Sequence, residues 1–237
     1  MRSYGQYCPV ALGAEVFAER WTPIILRNLH LGCHRFAEIL AGAPGLPRSV
    51  LATRLRTLCR HGVVQQVGSG RRTRYELTDC GHELADVCFA LGAWGARWLE
   101  VRPEDQDPYL ALWTLARMIT PDSLPRARVV VRFDLTGVRG PHRYWLVLAP
   151  TGNEVCVEPP GFPDDGVVTT DTASLVRWYA GRLTLGAAQR SGGMTVTAPR
   201  WLERNLSAWG RLSPYAGIEP RRPIAPRTAP ARLGGAE

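Results

Sequence analysis

Apolar residues in the first hundred positions recur every three or four residues, the period of helices with one buried face. The pattern predicts helices over 9–19 and 22–31, with Pro9 and Pro23 in first-turn positions where a missing N–H costs nothing, and a short helix, "HRFAEIL", over 34–40. The turn "GAPGLP" follows. A longer helix then begins at Pro47 and closes at Gly62, a C-terminal cap. Beyond it the period drops to two: "VVQQV" (63–67) and "TRYEL" (73–77) read as short strands joined by "GSGRR", a hairpin signal. Thr78 or Asp79 can cap a last helix over 79–100.

The second half mixes the two periods. "YLALWTLARMI" (109–119) predicts an apolar helix. "RVVVRFDL" places Val129, Val131, Phe133 and Leu135 on one face of a half-buried strand. Strands are expected at 144–150, 154–159, 166–171 and 194–198, and helices at 172–183 and 199–210. The polar, proline-containing stretch "EVRPEDQDPY" separates the halves. The reading is therefore α+β in two domains, 1–100 and 109–218, with a linker over 101–108. A tail over 219–237, rich in Pro, Arg, Ala and Gly, has almost nothing to bury and is expected to be disordered. No internal repeat is evident.

Helix, helix, short helix, turn, longer helix and a two-stranded ribbon is the chain order of a winged helix-turn-helix. On the helix after the turn, Leu51, Leu55 and Leu58 fall on one face. Ser49, Thr53, Arg56 and Arg60 fall opposite, with Arg48 and Arg54 flanking the stripe. Guanidinium forks and hydroxyls suit guanine edges and phosphates in a major groove. Arg71, Arg72 and Arg74 load the hairpin, which can lie on the backbone or reach into a minor groove. From Arg20 to Tyr75 there are ten Arg and one acid, Glu38, a local net of +9 against +8 for the whole chain. The alternative is a solvated face in a chain whose 29 basic residues are all Arg. In the helix over 79–100, Leu84, Val87, Leu91, Trp94 and Trp98 recur at spacings of 3, 4, 3 and 4, the seam of a helix pair or a face packed on its own domain.

At 237 residues and 45% hydrophobic, the chain can bury two cores. Its charge suits an anionic partner without choosing between nucleic acid and a membrane surface. No apolar run is long enough to span a membrane and the N-terminus lacks a signal-peptide core, so a cytoplasmic protein with no membrane partner is expected. The six cysteines lack zinc-site spacing, and a disulfide framework is not expected. His30, His34, His61, His82 and His142 are scattered, and Asp164-Asp165 is most simply a turn. No phosphate loop, GxSxG elbow or paired-carboxylate signature is present. Neither an enzyme, a metal nor a cofactor is expected.

The stretches "CPVALGAEVFAERWTPIILRNLHLGCHRFAEI", "LPRSVLATRLRTLCRHGVV" and "RYELTDCGHEL" resemble the HxlR family of bacterial winged-helix regulators, over residues 8 to about 100. The resemblance implies a homodimer on a roughly palindromic double-stranded operator, with the first and last helices of the domain at the interface. It also implies a role for Cys8, since in several members the cysteine before the first helix senses quinones, aldehydes or oxidants. A helix N-terminus favours a thiolate, whereas a buried thiol is inert.

The second half, from "GVVTTDTASLVRWYAGRL" to "WLERNLSAW", resembles the sterol-carrier-protein-like fold over roughly 108–212. That resemblance implies a five-stranded sheet whose helices can enclose an apolar cavity. Trp113, Phe133, Trp145, Trp178, Trp201 and Trp209 are its candidate walls, or plain core. The combined expectation is a one-component transcription regulator, a repressor, modulated by a small apolar or aromatic effector. A redox regulator acting through Cys8 and a lipid carrier are the alternatives.

Overall fold

The computed structural model describes residues 3–120, 124–138 and 142–221. Its N-terminal part runs α1 (Pro9–Phe17), α2 (Thr22–His30), α3 (Phe36–Ala41), α4 (Arg48–Arg60), β1 (Val64–Val67), β2 (Arg74–Leu77) and α5 (Asp79–Trp98). This is the winged helix-turn-helix order expected from the periodicity. Glu38 accepts from the backbone N–H groups of His34 and Arg35, so the one acid between residues 20 and 75 is spent capping α3. Gly45, at φ 81°, makes the left-handed turn into α4. Ile25, Leu26, Ile39, Leu51, Leu55 and Leu58 form a fully buried centre. Each contributes about 2 kcal/mol of apolar burial at most. Thr78 caps α5 by accepting from the Gly81 amide and donates to the Gly62 carbonyl, joining the last helix to the end of α4.

The C-terminal part runs α6 (Pro108–Met118), β3 (Val129–Thr136), β4 (Arg143–Leu148), β5 (Glu154–Cys156), β6 (Gly166–Asp171), α7 (Thr172–Tyr179), α8 (Leu185–Arg190), β7 (Met194–Thr197) and α9 (Arg200–Trp209). The five strands form one mixed sheet in the order β5-β4-β3-β6-β7. β3 and β6 are parallel and the other pairs antiparallel. Val129, Val131, Phe133 and Leu135 point into the main core, as their alternation predicts. Val130 is buried too, with Trp145 and Val147 on the opposite face, so β3 is covered on both sides there rather than half-buried. Asp164 and Asp165 do more than turn the chain. Asp164 accepts from the Trp145 indole and pairs with Arg132, while Asp165 accepts from the Val130 amide.

Two expectations are corrected. The helix expected over 172–183 stops at Tyr179, where Gly181 at φ 71° turns the chain, and a further helix that was not expected, α8, follows it, capped by Thr184 accepting from the Ala187 amide. The C-terminal segment was expected to be disordered from 219, and its described part is held instead. Arg221 donates its backbone N–H to the Arg97 carbonyl and lays its guanidinium over Trp98. The rest of that expected tail, 222–237, lies outside the described residues.

The two parts share packing well beyond the stretch 101–108. Trp113 of α6 is 3% exposed and belongs to the core of the N-terminal part, not to that of its own half. Gly42 permits this, since a Cβ at that position would overlap the indole ring. Arg117 lies over the Trp113 ring, 5.2 Å from its centroid.

Candidate nucleic-acid interface

Rotation about α4 separates two chemistries. Leu51, Leu55 and Leu58 anchor it to the core, while Arg48, Ser49, Thr53, Arg56 and Arg60 stand exposed. The hydroxyls orient the guanidinium groups. Arg56 donates to Thr53 Oγ1 at 3.2 Å and Arg60 to Thr57 Oγ1 at 3.1 Å, each three residues back along the helix. Arg48 lies over the Phe36 ring. These contacts restrict long side chains before any ligand arrives, which lowers the entropy lost on binding.

Arg54 departs from this arrangement. Its guanidinium donates to Glu19 at 2.6 Å, so a carboxylate just outside the basic stretch answers it and fixes α4 to the α1–α2 connection. Among the described residues, Arg54 is thus the one expected DNA contact on α4 that is held by a carboxylate. Its neighbours have no such acid beside them in the sequence, and Glu38 is already committed to backbone amides.

The ribbon completes a basic surface. Arg71 and Arg72 are exposed in the turn, and Arg74 is exposed with only a long contact to Glu76, 3.8 Å. The ribbon is fixed to the body where the Tyr75 amide donates to the His34 carbonyl at 2.7 Å. Between α4 and the ribbon lies an open groove of about 520 Å3, lined by Thr53, Arg56, Thr57, Cys59, Arg60, Gln66 and Tyr75. Gln66 and Tyr75 were missed in the sequence. They are register partners across the ribbon, and its alternation would have placed both on one face.

The stripe on α5 divides. Leu84 packs against the core, whereas Val87, Leu91 and Trp94 are 50, 48 and 44% exposed. Trp98 is half-buried beneath Arg221. On α1, Val10 and Leu12 are exposed as well. Large apolar side chains left in water on two helices mark a surface suited to another protein face. Cys8 is the half-buried N-cap residue of α1, and its side chain makes no capping bond.

The candidate cavity walls do not surround one space. Phe133, Trp178 and Trp209 are buried in the main core of the C-terminal half, with Leu175, Leu202 and Leu206 filling the gap between sheet and helices. Trp145 is on the opposite face of the sheet, Trp113 is in the N-terminal core, and Trp201 is half-buried under Arg126. Phe133 and Trp209 are packed as core, while the indole of Trp178, buried beside them, also borders a cleft next to Gly210. No helix among the described residues is long and apolar enough to cross a membrane, and none of their His, Cys, Asp and Glu side chains form a group that could hold a metal ion.

The profile described as HxlR-like helix-turn-helix matches residues 16–103, ending just past α5. The chain is 38% identical over 98 residues to Rv3095 of Mycobacterium tuberculosis, described as an uncharacterized HTH-type transcriptional regulator, covering 40% of this chain and 61% of that one. It thus spans about three fifths of that relative's length. It is 32% identical over 99 residues to YvaP of Bacillus subtilis, described in the same terms, covering 40% of this chain and 92% of that one. Among solved structures, the reduced form of the transcriptional regulator YodB from B. subtilis is similar at 29% identity over 40% of this chain and 97% of that one, with a TM-score of 0.34.

Proposed function

The chain belongs to the HxlR-like helix-turn-helix family, and from that premise we propose that it is a homodimeric transcription repressor whose C-terminal half tunes its grip on a palindromic operator. The observation that carries the reading is the outward face of α4, where Arg48, Arg56 and Arg60 stand exposed with two of the three guanidiniums oriented by threonines. In a major groove this face reads base edges, and Arg71, Arg72 and Arg74 grip the phosphates. The exposed residues of α5 and α1 supply the contact between copies, and two-fold pairing sets the half-sites one helical turn apart. The protein works in the cytoplasm as a binding protein, not as an enzyme.

The C-terminal half is read as a sterol-carrier-like domain, a reading supported by its five-stranded mixed sheet with helices α6, α7 and α9. It is expected to act through packing rather than through a loose tether, because Trp113 is seated in the DNA-binding half. A ligand there can weaken operator binding only by the difference in its affinity for the free and DNA-bound forms.

Equilibrium binding of the full chain to a duplex from upstream of its own gene tests the reading, with random duplex and anionic liposomes as competitors. The expected result is saturable binding to the upstream duplex that random DNA displaces poorly and liposomes not at all, and that weakens steeply as salt rises. Displacement by liposomes at equal charge would favour a lipid carrier instead.

A further inference from the structure

A cleft of about 120 Å3 opens in the C-terminal half between the α7–α8 turn and the end of α9. Trp178 lines it, is 1% exposed, and has an indole N–H with no hydrogen-bond partner. A buried donor left unmade destabilises the fold until something accepts from it. Gly210 keeps that donor uncovered, since a Cβ there would stand 2.5 Å from Nε1.

The rest of the lining states what would fit. Leu183 and Leu185 are apolar, Arg211 is exposed, and none of the lining residues is acidic. Thr184 Oγ1 accepts from the Ala187 amide, which leaves its O–H to donate, whereas the Ser207 O–H is given to the Glu203 carbonyl. The lining thus offers the unpaired indole N–H, the Thr184 hydroxyl and the positive charge of Arg211. Their complement is a small anion with several acceptor lone pairs and a short apolar end. The space equals about four waters and falls below the roughly 150 Å3 that holds a benzene ring. A carboxylate of two or three carbons, with four or five heavy atoms against the six of a benzene ring, is the better match in size.

The same two chain segments reach the helix on which dimerisation is proposed. Next to Gly181, Arg182 donates to the Ala96 carbonyl at 2.9 Å, near the end of α5. Ala216 packs on Gly181, and Tyr215 lies against Gly92 and Phe89 of α5. A ligand that draws residues 181–186 toward 207–211 thereby shifts contacts on α5.

We propose that this cleft binds a short-chain carboxylate through Trp178 and Arg211, and that its occupancy is relayed to α5 by Arg182 and Tyr215. Only the relay rests on the regulator reading above. The test titrates propionate and butyrate into the full chain, with uncharged propionamide as control, followed by calorimetry and tryptophan fluorescence. Saturable propionate binding with a Kd of about 1 mM or tighter is expected, with propionamide weaker by about tenfold or more. Trp178→Phe and Arg211→Gln should each weaken propionate by about tenfold. Arg211 is exposed, so that variant stays informative if Trp178→Phe does not fold. Arg182→Gln should keep propionate binding but lose the propionate-dependent change in operator affinity, expected at about fivefold or more. Absence of saturable binding, equal affinity for propionate and propionamide, or indifference to Arg211→Gln would overturn the site. A chain that binds propionate but no DNA would instead sink the regulator reading and leave the site standing.

Discussion

Replacing both Leu91 and Trp94 by Arg is expected to turn the protein into monomers and remove about 100-fold or more of its operator affinity. Both side chains are nearly half exposed on α5, one turn apart. In a two-fold interface each substitution occurs twice, so four guanidiniums would meet across a surface whose contacts are apolar. The fold itself should survive, because Ala85 and Cys88 on the buried side of α5 are untouched. A monomer keeps one half-site and loses the second contact that makes the pair tight. Sedimentation velocity with operator titration checks both parts. A dimer that persists through both changes would move the interface off α5.

Trp113→Ala is expected to cost about 3–5 kcal/mol, the upper range for a buried aromatic truncation. At this chain length that lowers Tm by about 2–4 °C per kcal/mol, roughly 10 °C in all. The cavity would open beside Gly42, whose carbonyl accepts from Arg27 at 2.6 Å and lies in the turn leading to α4. Arg27 donates to Asn28 Oδ1 and the Gly42 carbonyl, and burial lowers its pKa from the ordinary guanidinium value. Asn28 in turn donates to the Ile39 carbonyl, so the network under Trp113 sets α3 against α2. Gly42→Val should be comparably damaging, since its side chain and the indole cannot both occupy the space. Differential scanning calorimetry should show one transition for the wild type, shifted as a whole in Trp113→Ala. Two transitions, with only the C-terminal one moved, would mean the halves fold independently and Trp113 is no bridge.

The features legible in the sequence are those that depend on neighbours a few residues away. The stripe Leu51, Leu55, Leu58 and the arginines opposite it follow from the helical period alone, and the cap at Thr78 from local chemistry. The ribbon was visible in its alternation, though the groove-lining pair Gln66 and Tyr75 was not singled out by it. What stayed hidden was set by contacts far apart in the chain. Arg54 looked like its neighbours until Glu19, 35 residues earlier, was found beside it. Trp113 carries the pattern of its own helix and packs in the other half of the molecule, which periodicity cannot report. The end of α7 was signalled by Gly181 but masked by the apolar run around it, and α8 had no signal strong enough to be read.

The central claim is that α4 reads bases while the ribbon grips the backbone. It is tested most directly by measuring the affinity of Arg56→Ala, and of the Arg71→Ala, Arg72→Ala double variant, for operator and for random duplex across a range of salt. Arg56→Ala should lose about 1–3 kcal/mol on operator and little on random DNA, relaxing preference at one base position. The ribbon variant should weaken on both duplexes alike, with a salt slope shallower by about one per phosphate contact removed. An equal loss on operator and random DNA from Arg56→Ala would contradict the account.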